Sequence, residues 1–236
     1  MVNINYIADI INEFKIIMKK VLIVHNKYQN IGGEDIAVDN EIEILKKYFD
    51  VESLYFKNNN LVNLKQLKSF VTNKNSESVN LLKNKIIQFQ PDVVYVHNTW
   101  FKASLGIFSI LEKMNIKTLI KLHNFRYLCT STFLDSEHLD GEGLCKACGY
   151  KKKPVIFFNK YFQESIVKSV LVLIYGKKYF QILKSKWITL LVLTEFHKNF
   201  IKQIGGFKSK IFVSPNPINF QSENSEFKKE KTILYA

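Results

Sequence analysis

The sequence predicts an α/β fold with a Rossmann-like, doubly wound and mainly parallel sheet. Short runs rich in β-branched residues alternate with longer amphipathic segments, which is the pattern of βαβ units around a parallel sheet. The 236 residues are 47% hydrophobic and 23% charged, so the chain can bury a sizeable core and is not wholly disordered. A chain of this length forms one large domain or two small ones.

Each predicted strand is a short apolar run. The strands are expected at residues 21–25, 51–56, 93–97, 117–122, 187–193 and 210–213. The helix after the first strand has its apolar positions at Ile36, Ile42, Ile44 and Leu45, which predicts one buried face. Further helices are expected at 61–71, 77–89, 103–113 and 159–185.

The domain organisation follows from this alternation. Residues 18–218 are predicted to form the main domain, and the first 17 residues an appended helix, because Met18 directly precedes the first strong strand. The sequence leaves open whether Met1 or Met18 is the true start. Residues 219–236 are interpreted as a solvated linker and the first strand, TILYA, of a further domain that the chain does not contain.

Two absences indicate a cytoplasmic protein. The first 17 residues lack both a basic region and a small-residue cleavage site, so they are not an export signal. The longest apolar stretch, VLVLIY at 170–175, is far below the ~18 residues that a membrane-spanning helix needs.

The net charge of +13 first suggests an acidic partner. Lysine and arginine total 34, but Arg126 is the one arginine, so the rigid fork that reads guanine edges is nearly absent. Sequence-specific nucleic-acid binding is therefore not expected. The lysines around the helix at 159–185, with Phe157 and Phe158 at its entrance, fit either peripheral contact with an anionic membrane or a solvated helix face.

Three histidines fall where an α/β sheet places its ligand. His25, His97 and His123 each lie at or just after the carboxyl end of a predicted strand. A structural role and a role in hydrogen bonding or proton transfer both stay open. No strand supplies a carboxylate beside them, and Asp92 precedes its strand, so paired-acid hydrolysis finds little support.

A glycine pair, Gly32 and Gly33, begins the helix after the first strand. Its free amides and the helix dipole favour an anion, and small residues let a phosphate approach. The alternative is a simple tight turn in which Glu34 and Asp35 complement the dipole.

The thiols lie in a polar segment, 123–153, that interrupts the alternation. Cys129, Cys145 and Cys148 would make a zinc site if a residue such as His138 completed the tetrahedron. Free or merely structural thiols are the competing interpretation, since a single CxxC is a weak signal.

Four blocks of sequence together resemble the amino-terminal domain of family 4 glycosyltransferases of the GT-B fold. They are VLIVHNKYQNIGGEDIAVDNEIEILKK, PDVVYVHNTWF, LIKLHNFRYLC with the later LCKAC, and LTEFHKNF followed by VSPNPI. The blocks occur in family order and span about residues 18–218.

The resemblance implies roles for individual residues. Gly32 and Gly33 would approach the donor diphosphate, and His123 would lie near the transferred sugar with Asn124 beside it. His97 and Asn98 would line the acceptor side. The family moves a sugar from a nucleotide-sugar to an acceptor hydroxyl, typically with retention and without an essential metal.

The sequence departs from the family pattern in two places. Residues 149–165 contain no further cysteine, which weakens the zinc interpretation, and the donor-binding second domain is absent. The resemblance thus implies a truncated or split glycosyltransferase for polysaccharide or glycolipid assembly at the inner membrane face, inactive alone. A noncatalytic module that binds an acceptor, or a separate donor-domain chain, is one alternative. Nonspecific polyanion binding through the lysines is another.

Overall fold

Six parallel strands form the centre of the protein in the computed structural model, which describes residues 20–28, 30–57, 72, 75–100, 102–125, 127 and 166–217. The strands are β1 Lys20–Lys27, β2 Asp50–Lys57, β3 Val93–Val96, β4 Lys117–Leu122, β5 Ile188–Val192 and β6 Lys210–Val213. Each of the six strands predicted for residues 18–218 is present within two residues of its expected bounds. The α/β Rossmann-like fold class is therefore confirmed.

The strand order is β2-β1-β3-β4-β5-β6. Val21 on β1 pairs with Val51 on one side and with Val93 on the other, so β1 lies between the next two strands of the chain. The sheet changes its direction of growth there, between β1 and β3. In open α/β sheets the ligand crevice lies outside the carboxyl ends of the strands at such a switch point.

Helices cover both faces of the sheet. They are α1 Gly33–Leu45, α2 Ser76–Phe89, α3 Gly106–Lys113, α4 Ile166–Leu183 and α5 Glu195–Ile204. On one face α1 packs through Val38, Ile42 and Leu45, and on the other α2 to α5 contribute to the larger apolar cluster. None of the described helices combines the length and apolar character needed to cross a bilayer.

Two helix predictions need correction. Ile36 is 54% exposed, because the buried face of α1 is formed by Val38, Ile42 and Leu45 together with the charged Glu41. The helix expected from residue 103 begins at Gly106, since Ala103 to Leu105 form a buried turn in which Ser104 has a φ of 58°.

Several predicted segments lie outside the described residues. They are the helices at 1–17 and 61–71, the start of the helix at 159–185, and the linker and strand at 219–236.

One polar side chain, Thr194, and one glycine, Gly205, mark the two ends of α5. The hydroxyl of Thr194 accepts a hydrogen bond of 3.1 Å from the amide of His197, which is a standard helix start. Gly205 ends the helix with a φ of 75°, a conformation that favours glycine. These caps fix the position of His197 at the first turn.

Candidate functional site

The structure brings the three predicted histidines together at the carboxyl edge of β1, β3 and β4. His97 Nδ1 and His123 Nε2 are 3.0 Å apart and share a hydrogen bond. The His25 and His97 rings are perpendicular, with centroids 6.2 Å apart. The cluster therefore lies at the switch point between β1 and β3.

Burial keeps these imidazoles neutral. It lowers the pKa of His25, although the neighbouring Asp35 carboxylate acts in the opposite direction. It lowers the pKa of His97 well below the ordinary value and that of His123 to about 3, and the nearby Lys121 adds to both shifts. At neutral pH each ring carries one proton and can both donate and accept a hydrogen bond.

Asp35 of α1 supplies the carboxylate that no strand provides. Its Oδ1 lies 2.8 Å from His25 Nε2, and both side chains are buried. Its Oδ2 accepts a hydrogen bond of 2.9 Å from the amide of Gly32. Asp35 was expected only to complement the helix dipole, but it also ties the start of α1 to β1.

A second carboxylate, Glu41, lies behind His97. Its Oε1 contacts Lys121 Nζ, and its Oε2 accepts a hydrogen bond of 3.2 Å from Tyr95. Oε2 is also 3.6 Å from His97 Nε2. Glu41 and Lys121 are each 1% exposed, and burial raises the pKa of Glu41 and lowers that of Lys121 while their contact opposes both shifts. Lys121 also donates a hydrogen bond to the carbonyl of Pro215.

Two asparagines lock β1 to the segment after β3. Asn98 Nδ2 donates to the carbonyl of Asn26 at 2.9 Å, and Asn98 Oδ1 accepts from the amide of Trp100 at 2.9 Å. Asn26 Oδ1 accepts from the amide of Ala103 at 3.0 Å. Asn98 was expected to line the acceptor side. In the structure its buried side chain forms these hydrogen bonds between β1 and the segment after β3.

Of the predicted histidines and asparagines at this edge, His123 and Asn124 are the more exposed. Both are partly exposed, whereas His97 and Asn98 are buried, 3% and 7% exposed respectively. A ligand at this edge would thus meet His123 and Asn124 directly, with His97 and Asn98 supporting them from beneath.

The glycine pair lies at the start of α1, as the sequence predicts. Gly32 precedes the helix with a φ of −115°, and its amide is already bonded to Asp35. A Cβ at Gly33 would meet no atom within 4 Å. The backbone conformation therefore does not require either glycine, but open space lies beside Gly33.

The predicted zinc ligands Cys129, Cys145 and Cys148 lie outside the described residues. In the described part of the chain, no three His, Cys, Asp or Glu side chains form a group that could hold a metal ion.

Glu41, Lys121 and Asn26 belong to the cluster at this edge but were not predicted from the sequence. A detectable signal exists for the first two: Lys121 interrupts the apolar end of β4, between Ile120 and Leu122, and Glu41 falls on the same helical face as Val38, Ile42 and Leu45. A buried charge needs a partner, so each residue points to the other. Asn26 follows His25 in the sequence without a comparable signal.

The fold and site define a Rossmann-like α/β domain with a buried, neutral polar cluster at its switch point. No family model and no curated protein matches the chain. Among solved structures, the chain is similar to a novel cobalamin-binding protein from Desulfitobacterium hafniense DCB-2. The match has 12% identity and a TM-score of 0.28, and it covers 44% of this chain and 43% of that one. This similarity is too low to support an argument about function.

Proposed function

We propose that this chain is the acceptor-side domain of a glycosyltransferase and that the carboxyl edge of β1, β3 and β4 is its carbohydrate site. The starting point is the resemblance of four sequence blocks to the family 4 enzymes. The described parts of those blocks include β1, β3, most of β4 and the start of α5, and three of the blocks contribute His25, His97 and His123 to one edge of the sheet.

The observation that carries the proposal is the cluster of His25, His97 and His123 at the carboxyl ends of β1, β3 and β4, where burial lowers the pKa of each ring. Burial holds the pKa of His123 at about 3, so the partly exposed ring of this edge is uncharged at neutral pH. The buried side chain of Lys121 is paired with Glu41. Neutral imidazoles suit the hydroxyl groups of a sugar, whereas a phosphate at this point would need positive charge.

The donor diphosphate is assigned to the start of α1, at Gly33 rather than Gly32. The amide of Gly32 already bonds to Asp35, while the space beside Gly33 is open. Glu34 and Asp35 in the first turn oppose an anion there, so most of the positive charge at the diphosphate must come from elsewhere. In this proposal it comes from a donor-binding domain, on the same or a separate polypeptide.

The reaction would transfer a sugar from a nucleotide-sugar to a hydroxyl of a glycan or lipid-linked acceptor. The acceptor oxygen bonds to the anomeric carbon, and the bond from that carbon to the diphosphate oxygen breaks with its electron pair. The hydroxyl proton ends on the released diphosphate. His123 and Asn124 would orient sugar hydroxyls for this step by hydrogen bonds.

Saturation-transfer NMR on the purified chain tests the proposal, with methyl hexosides and UDP- and GDP-hexoses as probes. We expect saturation transfer to at least one hexoside and about tenfold weaker binding by His123→Ala, since one or two hydrogen bonds are lost. Thr118→Val is the matched control. Thr118 lies at the opposite edge, where its hydroxyl donates to the carbonyl of Ile116, so this variant should bind normally.

Two results would overturn the proposal. One is the absence of saturation transfer to every probe. The other is turnover of a nucleotide-sugar by the chain alone, because an acceptor-side domain lacks the groups that grip the donor.

A further inference from the structure

We propose that Glu41 and His97 are positioning residues that fix the tautomer of His123, so that its Nδ1 accepts a hydrogen bond from a hydroxyl of the bound carbohydrate. The identity of the ligand rests on the proposed function. Which nitrogen of His97 and of His123 carries the proton is inferred from the contacts alone.

The chain of contacts starts at Glu41. Lys121 contacts Oε1, so the proton that the two groups share lies on that side of the carboxyl group, whichever of them holds it. The hydroxyl of Tyr95 donates to Oε2. Oε2 therefore presents lone pairs in either case, and it faces His97 Nε2 at 3.6 Å.

That contact selects the tautomer of His97. The distance is too long for a hydrogen bond, but both side chains are at most 1% exposed, so their electrostatic interaction is weakly screened. A lone pair on Nε2 would be repelled by Oε2, whereas an N–H would be attracted. His97 thus carries its proton on Nε2, which leaves Nδ1 as an acceptor.

The next hydrogen bond selects the tautomer of His123. His97 Nδ1 lies 3.0 Å from His123 Nε2, and because His97 accepts, His123 must donate. The proton of His123 is then on Nε2, and its Nδ1 carries a lone pair. Glu41 thereby acts on His123 through one intervening ring.

The last nitrogen in this series of contacts, His123 Nδ1, has no hydrogen-bond partner in the described part of the protein. His123 is partly exposed, yet its Nδ1 is covered and makes no hydrogen bond to the described residues. A covered acceptor without a partner is costly. A ligand hydroxyl that reaches this nitrogen and donates a hydrogen bond to it would remove this cost. A ligand without a hydroxyl at that point would not.

Nitrogen-15 NMR of the ligand-free chain, with labelled histidine, tests which nitrogen of His123 carries the proton. The signals are assigned with His123→Gln. We expect His123 to be protonated on Nε2 and unprotonated on Nδ1 at neutral pH. Protonation on Nδ1, or a mixture of the two tautomers, would overturn the proposal. This measurement needs no sugar, so it can fail or succeed independently of the proposed function.

The variant Glu41→Gln with Lys121→Met tests the positioning role. It removes both buried charges together, so neither is left unpaired. We expect His123 to populate both tautomers and to bind the methyl hexosides about tenfold more weakly, the loss of one hydrogen bond. Glu43→Gln, the same change on the exposed side of α1, should leave both properties unchanged. A pure Nε2 tautomer in the double variant would contradict a role for Glu41.

Deoxy sugars test the demand for a hydroxyl. Within a set of monodeoxy methyl hexosides, we expect one position whose removal weakens binding about tenfold in the wild type. The same removal should have little effect in His123→Ala. Equal losses in the two proteins would show that the hydroxyl does not bind His123.

Discussion

Burial, rather than residue type, sets the chemistry of each histidine in this protein. His25, His97, His123 and His197 are all deeply packed, and in each case loss of solvation lowers the pKa. His197 illustrates the purely structural outcome. Its Nε2 shares a hydrogen bond of 2.7 Å with the hydroxyl of Tyr127, so that nitrogen has a partner within the protein. His123 Nδ1, in contrast, has no hydrogen bond to a described residue.

Gly33→Ala separates the two interpretations of the glycine pair. A Cβ at this position meets no atom within 4 Å, and glycine at a helix start is entropically costly. We therefore expect the variant to be about 0.4 to 1 kcal/mol more stable in urea denaturation. If the donor diphosphate approaches here, NMR titration should show nucleotide-sugar binding about tenfold weaker.

Gly205→Ala is the control for the measurement of stability. Its φ of 75° disfavours alanine, so it should lose about 1 kcal/mol of stability. Unchanged nucleotide-sugar binding by Gly33→Ala would favour the interpretation that Gly32 and Gly33 form a simple tight turn.

At the scale of elements, the sequence predicted the strands better than the contacts between elements. Apolar runs such as VVYV of β3 specify buried strands locally, so their positions could be predicted from short windows. The pairing of Glu41 on α1 with Lys121 on β4 could not, because it joins residues that lie far apart in the sequence. The edge position of the histidines followed from strand ends, but their lowered pKa values depend on burial, which the strand ends alone do not predict.

Thr194→Ala tests how firmly α5 is anchored. The substitution removes the hydrogen bond that Thr194 accepts from the amide of His197 and leaves that amide unpaired. We expect a loss of about 1 kcal/mol in the free energy of unfolding, measured by urea denaturation. Thr194→Ser keeps the oxygen and should lose much less. Equal losses in the two variants would mean that the methyl group, and not the cap, stabilises this helix.

At the scale of the whole molecule, the strand order explains why the site is where it is. β1 occupies an internal position between β2 and β3, so His25 and His97 meet at the point where the sheet changes its direction of growth. The net charge of +13 suggested an acidic partner, whereas the ligand that we propose for this edge is rich in hydroxyl groups.

The buried histidines make global stability depend on pH. The folded-state pKa is about 3 for His123 and about 4 for His197, whereas the ordinary value is 6.5. Below pH 6.5 the unfolded chain therefore binds more protons, and the free energy of unfolding falls as the pH falls toward 4. Each histidine should contribute about 1.4 kcal/mol per pH unit in this window.

Urea denaturation between pH 7.5 and 4.5 checks this dependence. His197→Phe keeps an aromatic ring in the cluster with Phe125 and Tyr127 but cannot titrate. Its stability should fall less steeply than that of the wild type, by about 1.4 kcal/mol per pH unit. The same slope in both proteins would mean that His197 does not titrate in this way.

The proposal that the edge formed by β1, β3 and β4 binds sugar hydroxyls through His123 is tested most directly by titrating the chain, labelled with nitrogen-15 histidine, with methyl hexosides. We expect the Nδ1 signal of His123 to shift on addition of a bound hexoside, while the signals of His197, whose Nε2 is bonded to Tyr127, stay unchanged. A bound hexoside that leaves His123 unchanged, or no binding of any hexoside, would contradict it.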